Sequence, residues 1–270
     1  MSQRRNNPRM LEHHKKVIEG LVEEFGEDAR FPALIVTGSV AKGRATREAD
    51  VDVHFVATDE EFERRRAKRE YSYIIKDACE VPEVYVDGKV VDLGFLKECA
   101  ERGSEPARYA FVDAFVAYSR IPELEEILSR IPVYQEEERA EKMRGFFAQV
   151  KYLMWLIPEA EKRGDRYTPA RAAADLVLFG GRLILAHNRT LYPYHKWFTY
   201  ELGRAPEKPE GLIELAEKLL ERPSKATAKA FGESVVNFTE WEKPEEGWVS
   251  WFMENEEWNW RKGKPPLQDW

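Results

Sequence analysis

At 270 residues the chain is nearly twice the ~150 that typically make one domain, so two domains are expected. Forty-two basic against 49 acidic residues leave a formal charge of −7, with 43% hydrophobic and 34% charged residues, a composition that excludes intrinsic disorder and disfavours binding along nucleic acid, which calls for a basic surface. The opening MSQRRNNPRM has no apolar segment behind it, and the longest apolar stretch, residues 176–186, is interrupted by Arg182 and is too short for a membrane span. A cytoplasmic protein without a membrane partner is expected, and Cys79 and Cys99 are read as ordinary reduced thiols.

Met10, Val17, Ile18, Leu21, Val22 and Phe25 share one helical face, so residues 10–28 are read as an amphipathic helix lying on a sheet. Residues 33–37 form a short β-rich run ending at Gly38-Ser39, and residues 49–57 alternate polar and apolar side chains as a strand does. Between them there is room for a turn or two of helix from Ser39. Thr58 to Glu61 has capping-box spacing before a helix that ends in the basic run 64–69, read as a solvent-facing helix end. Asp87-Gly88 lies between β-rich runs at 84–86 and 89–96 and is read as a type I′ hairpin turn in a mixed sheet.

A further strand is expected within 111–118 and a short helix over 122–130, closing a first domain of residues 1–132. Residues 133–270 have helical apolar spacing over 135–162, 168–188, 209–221 and 224–241, with Thr168 and Ser224 as caps, so the second domain is a helical bundle. The fold class is α+β: a catalytic domain with a mixed sheet, then an α-helical domain. Six of the eight tryptophans fall in residues 241–270, a tail that must pack on something.

Asp50 and Asp52 are two apart on a strand, so they share a face, with Cα atoms about 6.6 Å apart. Asp92, in a later β-rich run, is the expected third carboxylate, one strand spacing of about 4.8 Å away. Like charges so gathered repel, and one or two Mg²⁺ ions with oxygen ligands are the natural compensation. Magnesium keeps positions for phosphate oxygens, which implies a nucleoside triphosphate. Gly38 and Ser39, at a strand-to-helix turn, supply backbone N–H groups and a hydroxyl for phosphate, and Lys42 adds a cation. His13, His14 and His54 show no metal-ligand spacing.

GSVAKGRATREADVDVHF (38–55) with the later VVDLGF (90–95) resembles the signature of the DNA polymerase beta-type nucleotidyltransferase superfamily. The resemblance covers about the first 130 residues. It implies that Asp50 and Asp52 ligate metal, that Asp92 is the third carboxylate, and that Gly38 and Ser39 form the phosphate-binding turn. The two-domain layout is similar to that of bacterial antibiotic nucleotidyltransferases acting on aminoglycosides or lincosamides. In those enzymes an arginine and a following lysine reach the triphosphate, which implies that role for Arg182 and Lys196.

The expected reaction moves a nucleoside monophosphate, AMP from ATP, to a hydroxyl of a small molecule and releases pyrophosphate. Asp92 acts either as a ligand of a second metal or as general base; the sequence leaves both open. Asp175 and His195 are placed on the acceptor's side, and the acidic net charge suits a cationic acceptor. Two rival readings stand beside this one: a transferase acting on a protein or RNA partner, antitoxin-like, and a non-catalytic nucleotide-binding module.

Overall fold

The computed structural model describes residues 10–76 and 78–263; the first nine residues, of the opening read above as having no apolar segment behind it, and Trp270 of the tryptophan tail lie outside them. The chain divides into two compact units, Met1–Val133 and Tyr134–Trp270. Among the described residues no helix is long and apolar enough to cross a membrane.

In the first unit, α1 (Glu12–Phe25) is followed by β1 (Ala33–Val36), α2 (Gly38–Ala41), β2 (Val51–Val56), α3 (Asp59–Lys68), β3 (Ser72–Ile75), β4 (Val86–Val91), α4 (Leu93–Arg102), α5 (Glu105–Ala110), β5 (Phe115–Ser119) and α6 (Leu124–Arg130). The strands make one mixed sheet in the order β3-β4-β2-β1-β5, with β2 and β4 parallel and the other pairs antiparallel. Alternation along each strand sends side chains to two cores. Leu34, Val36, Val51, Val53, Phe55, Val86 and Val90 pack with Val17, Ile18, Leu21 and Phe25 of α1, while Ala33, Ile35, Val56 and Val91 pack with α4 and α6. The helix inferred for 10–28 thus covers the sheet.

Three expectations for this unit are corrected here. Asp87-Gly88 is not a hairpin turn but lies inside β4, with no positive φ at either residue. Glycine is required at 88 by packing, since a Cβ there would lie 2.5 Å from the Tyr73 carbonyl oxygen and 2.7 Å from the Phe55 ring. The run 89–96 read as the second arm is the end of β4 followed by the first turn of α4, whose N-cap is Asp92; its carboxylate accepts a hydrogen bond from the Phe95 N–H at 2.6 Å. The run 64–69 is not wholly solvent-facing. Arg65 is buried, 2.7 Å from Glu61 and over the Phe31 and Tyr73 rings, and the Arg64 and Arg65 guanidiniums hold the Glu61 carboxyl down at about 2.

The second unit contains α7 (Glu136–Lys162), α8 (Tyr167–His187), α9 (Phe198–Arg204), α10 (Leu212–Glu221), α11 (Lys225–Val236) and α12 (Trp248–Phe252) around one apolar core. Ser224 caps α11 in a reciprocal box with Thr227. Thr168, by contrast, sits inside α8, and Asp165 accepts from the Tyr167 and Thr168 N–H groups in its place. The tail does pack. Trp241 is buried and donates from Nε1 to the Val235 carbonyl at 2.9 Å, and Trp251 fills the space that a side chain at Gly145 would occupy.

Candidate active site

Asp50 immediately precedes β2 and Asp52 is its second residue, both half-buried. Because β2 and β4 run parallel with Asp52 opposite Asp87, those two side chains leave the same face of the sheet on adjacent strands. One carboxylate oxygen from each of Asp50, Asp52 and Asp87 falls within 4.8 Å of the others. The third carboxylate is therefore Asp87, and Asp92 is not part of this cluster. Asp92 is five residues further along, about 16 Å at strand rise and with opposite side-chain parity, and its carboxylate is engaged as the cap of α4.

The donor set suits a hard divalent cation. Two oxygens on opposite sides of one magnesium ion lie about 4.2 Å apart, given metal–oxygen bonds near 2.1 Å, close to the separation of these three groups. Partial exposure leaves room for water or phosphate oxygens as further ligands. The field of the cluster is visible at the neighbouring Tyr85: repulsion from Asp50 first, then its hydrogen bond with Asp50, burial, and the charges of Asp87 and Asp52 raise the phenol above its ordinary value.

Gly38 is bound to this cluster by two constraints. Its φ is +65°, the left-handed region, and a Cβ there would sit 1.8 Å from Asp52 Oδ2. The turn that starts α2 thus closes directly over the Asp52 carboxylate. Gly38 and Ser39 are the first residues of α2, where N–H groups lack intrahelical acceptors. Lys42 reaches the Ala110 carbonyl at 3.4 Å and lies over the Tyr109 ring, and Arg44 donates to the Tyr109 hydroxyl at 3.1 Å.

The loop entering β2 is tied to α1 by a pair of residues whose part the sequence did not reveal. His13 Nε2 bonds the Arg47 carbonyl at 2.9 Å and His14 Nε2 bonds the Ala49 carbonyl at 3.0 Å, one residue before Asp50. Burial, and then the neighbouring His13, push the His14 imidazole below its ordinary value, so it is neutral at pH 7 and donates from Nε2. On the face of the sheet that carries Asp52, His54 is buried with Nδ1 3.5 Å from Thr37 Oγ1, its ring 4.9 Å from that of Phe111. Burial, with a smaller push from Lys89, lowers it to about 3.

The remaining residues inferred from sequence lie in the second unit. The Arg182 guanidinium is held between the Phe146 and Tyr192 rings, 4.4 Å from each centroid. Lys196 is exposed on the 3₁₀ turn His195–Trp197, and His195 Nδ1 is 3.1 Å from the Tyr192 hydroxyl. Asp175 is half-buried on α8 and accepts from Arg171 Nε at 2.6 Å.

Residues 14–102 match the family model described as a nucleotidyltransferase domain. The matched third of the chain includes Gly38, Ser39 and all three clustered aspartates, and it marks the chain as a transferase. No curated protein matches the chain. Among solved structures it is similar to a nucleotidyltransferase-like protein from Exiguobacterium sibiricum 255-15, at 12% identity and a TM-score of 0.48, over 94% of this chain and 81% of that one.

Proposed function

We propose that the protein transfers a nucleoside monophosphate, AMP from ATP, to a hydroxyl of a small molecule in a magnesium-dependent reaction. The observation that carries this reading is the convergence of Asp50, Asp52 and Asp87 beneath the Gly38-Ser39 turn. Magnesium bound there would supply charge neutralisation at the phosphates and a lowered pKa for the acceptor hydroxyl. Asp50, Asp52 and Asp87 hold it through carboxylate oxygens, and Asp87 takes the part that the sequence assigned to Asp92. Any of these carboxylates that is not fully engaged by metal is a base for the acceptor proton. The acceptor oxygen bonds to the α-phosphorus, the bond from that phosphorus to the β-bridging oxygen breaks, and pyrophosphate leaves with the electron pair.

The N–H groups of Gly38 and Ser39 and the serine hydroxyl bind phosphate oxygens, with Lys42 as a nearby cation. Arg182 and Lys196 keep the role toward the triphosphate that the resemblance implies. Asp175 and His195 serve the acceptor, of which aminoglycoside- or lincosamide-like antibiotics are the examples the resemblance suggests. We place the reaction in the cytoplasm, where ATP and magnesium are at hand. The test is pyrophosphate release from the four nucleoside triphosphates with Mg²⁺ across a panel of hydroxylated acceptors. Asp52→Asn should lower turnover by at least about a hundredfold with the melting temperature held, and undiminished turnover would remove the assignment.

A further inference from the structure

The helical unit contains a cavity of about 680 Å³ between α7, α8 and the segment that follows α12, within the size range of small-molecule sites. One wall is aromatic: Phe252 stacks on Tyr152 with ring centroids 4.0 Å apart. Tyr167 and Trp260 also line it, yet they are 75% and 62% exposed. Two large rings kept in water beside a cavity are costly unless something covers them.

The charge of the lining is one-sided. Arg171 is the one cationic residue among the described lining residues, and it is matched by Asp175 at 2.6 Å. Glu257 then adds a further carboxylate to the lining. Burial first, and Glu257 second, raise the Tyr152 phenol, which places the Glu257 charge by the aromatic wall. At the base lies Gln149, 7% exposed, whose carboxamide makes no hydrogen bond to the described residues. That amide is open to a ligand carrying a donor or acceptor.

We infer that this cavity binds an organic amine with a ring or other apolar body and a hydroxyl. The ammonium meets Glu257 and the faces of the aromatic wall, the body displaces water from Tyr167 and Trp260, and the hydroxyl pairs with the Gln149 carboxamide. That this ligand is also the acceptor of the transfer rests on the reading under Proposed function; the site itself does not.

The experiment is calorimetric titration of the full chain, without nucleotide or metal, with three probes. Phenylalaninol carries ring, ammonium and hydroxyl; 3-phenyl-1-propanol lacks the ammonium; alaninol lacks the ring. Phenylalaninol should bind at least tenfold more tightly than either of the others, and Glu257→Gln and Trp260→Ala, both exposed substitutions, should each weaken it at least fivefold. Equal binding of the three, no saturable binding of phenylalaninol at 10 mM, or binding indifferent to both substitutions overturns the inference. The same titration on Asp52→Asn separates the two claims, because the cavity should bind normally there whether or not nucleotidyl transfer is found.

Discussion

Replacing Gly38 by alanine tests the link between the phosphate turn and the carboxylate cluster. Two costs follow from the geometry. Holding φ at +65° in a residue with a Cβ costs roughly 1–2 kcal/mol. The new methyl would also lie 1.8 Å from Asp52 Oδ2, against an ordinary contact of at least 3.4 Å, so carboxylate and turn must separate by about 1.6 Å (3.4 − 1.8). A misplacement of about 1 Å in a reacting assembly lowers turnover about a hundredfold, so Gly38→Ala should lose at least that much in pyrophosphate release while the melting temperature falls by only a few degrees. Circular dichroism melts and a coupled pyrophosphate assay on the same preparation give both numbers. Wild-type turnover with unchanged melting would refute the argument, since it would mean that the turn does not close over Asp52.

Asp92→Ala removes the α4 cap and should cost about 1 kcal/mol in denaturant unfolding, with turnover per folded molecule unchanged. Acidification should destabilise the first unit through His54. Its folded value of about 3 lies below the ordinary 6.5, so the unfolded state binds the extra proton, and the stability is fully present above about pH 6.5 and drains away toward pH 3. By pH 5 the loss is about 2 kcal/mol. His54→Gln should flatten that part of the stability–pH curve measured by urea melts; an unchanged slope would contradict the assignment. Glu61, held down at about 2 by Arg64 and Arg65, has the depressed-carboxylate sign, and its contribution should be lost only as the pH falls from about 4.5 toward 2.

Much of this was legible because it is local. The 3.6-residue repeat from Val17 to Phe25 marks α1, the alternation through Val51, Val53 and Phe55 marks β2, and Gly38-Ser39 before a strand bearing two aspartates marks the candidate site. Asp87 was hidden by its neighbour. Asp-Gly is a strong hairpin signal from backbone freedom alone, whereas Gly88 is glycine because Tyr73 and Phe55 press on it from elements that no local rule connects. A signal was present all the same: Val84, Val86, Gly88 and Val90 alternate with Tyr85, Asp87 and Lys89, the period of one unbroken strand. β3, with its exposed and half-buried residues, has no clean polar alternation and went unread. The ties from His13 and His14 to the loop before Asp50 span 34 and 35 residues and exist only in the folded chain.

The central claim, that Asp87 and not Asp92 completes a divalent-metal site with Asp50 and Asp52, is tested most directly by Mn²⁺ binding, read as loss of the free-ion electron paramagnetic resonance signal. Asp87→Asn should weaken binding at least tenfold while Asp92→Asn leaves it at the wild-type value. The reverse order, or equal binding by all three proteins, would contradict it.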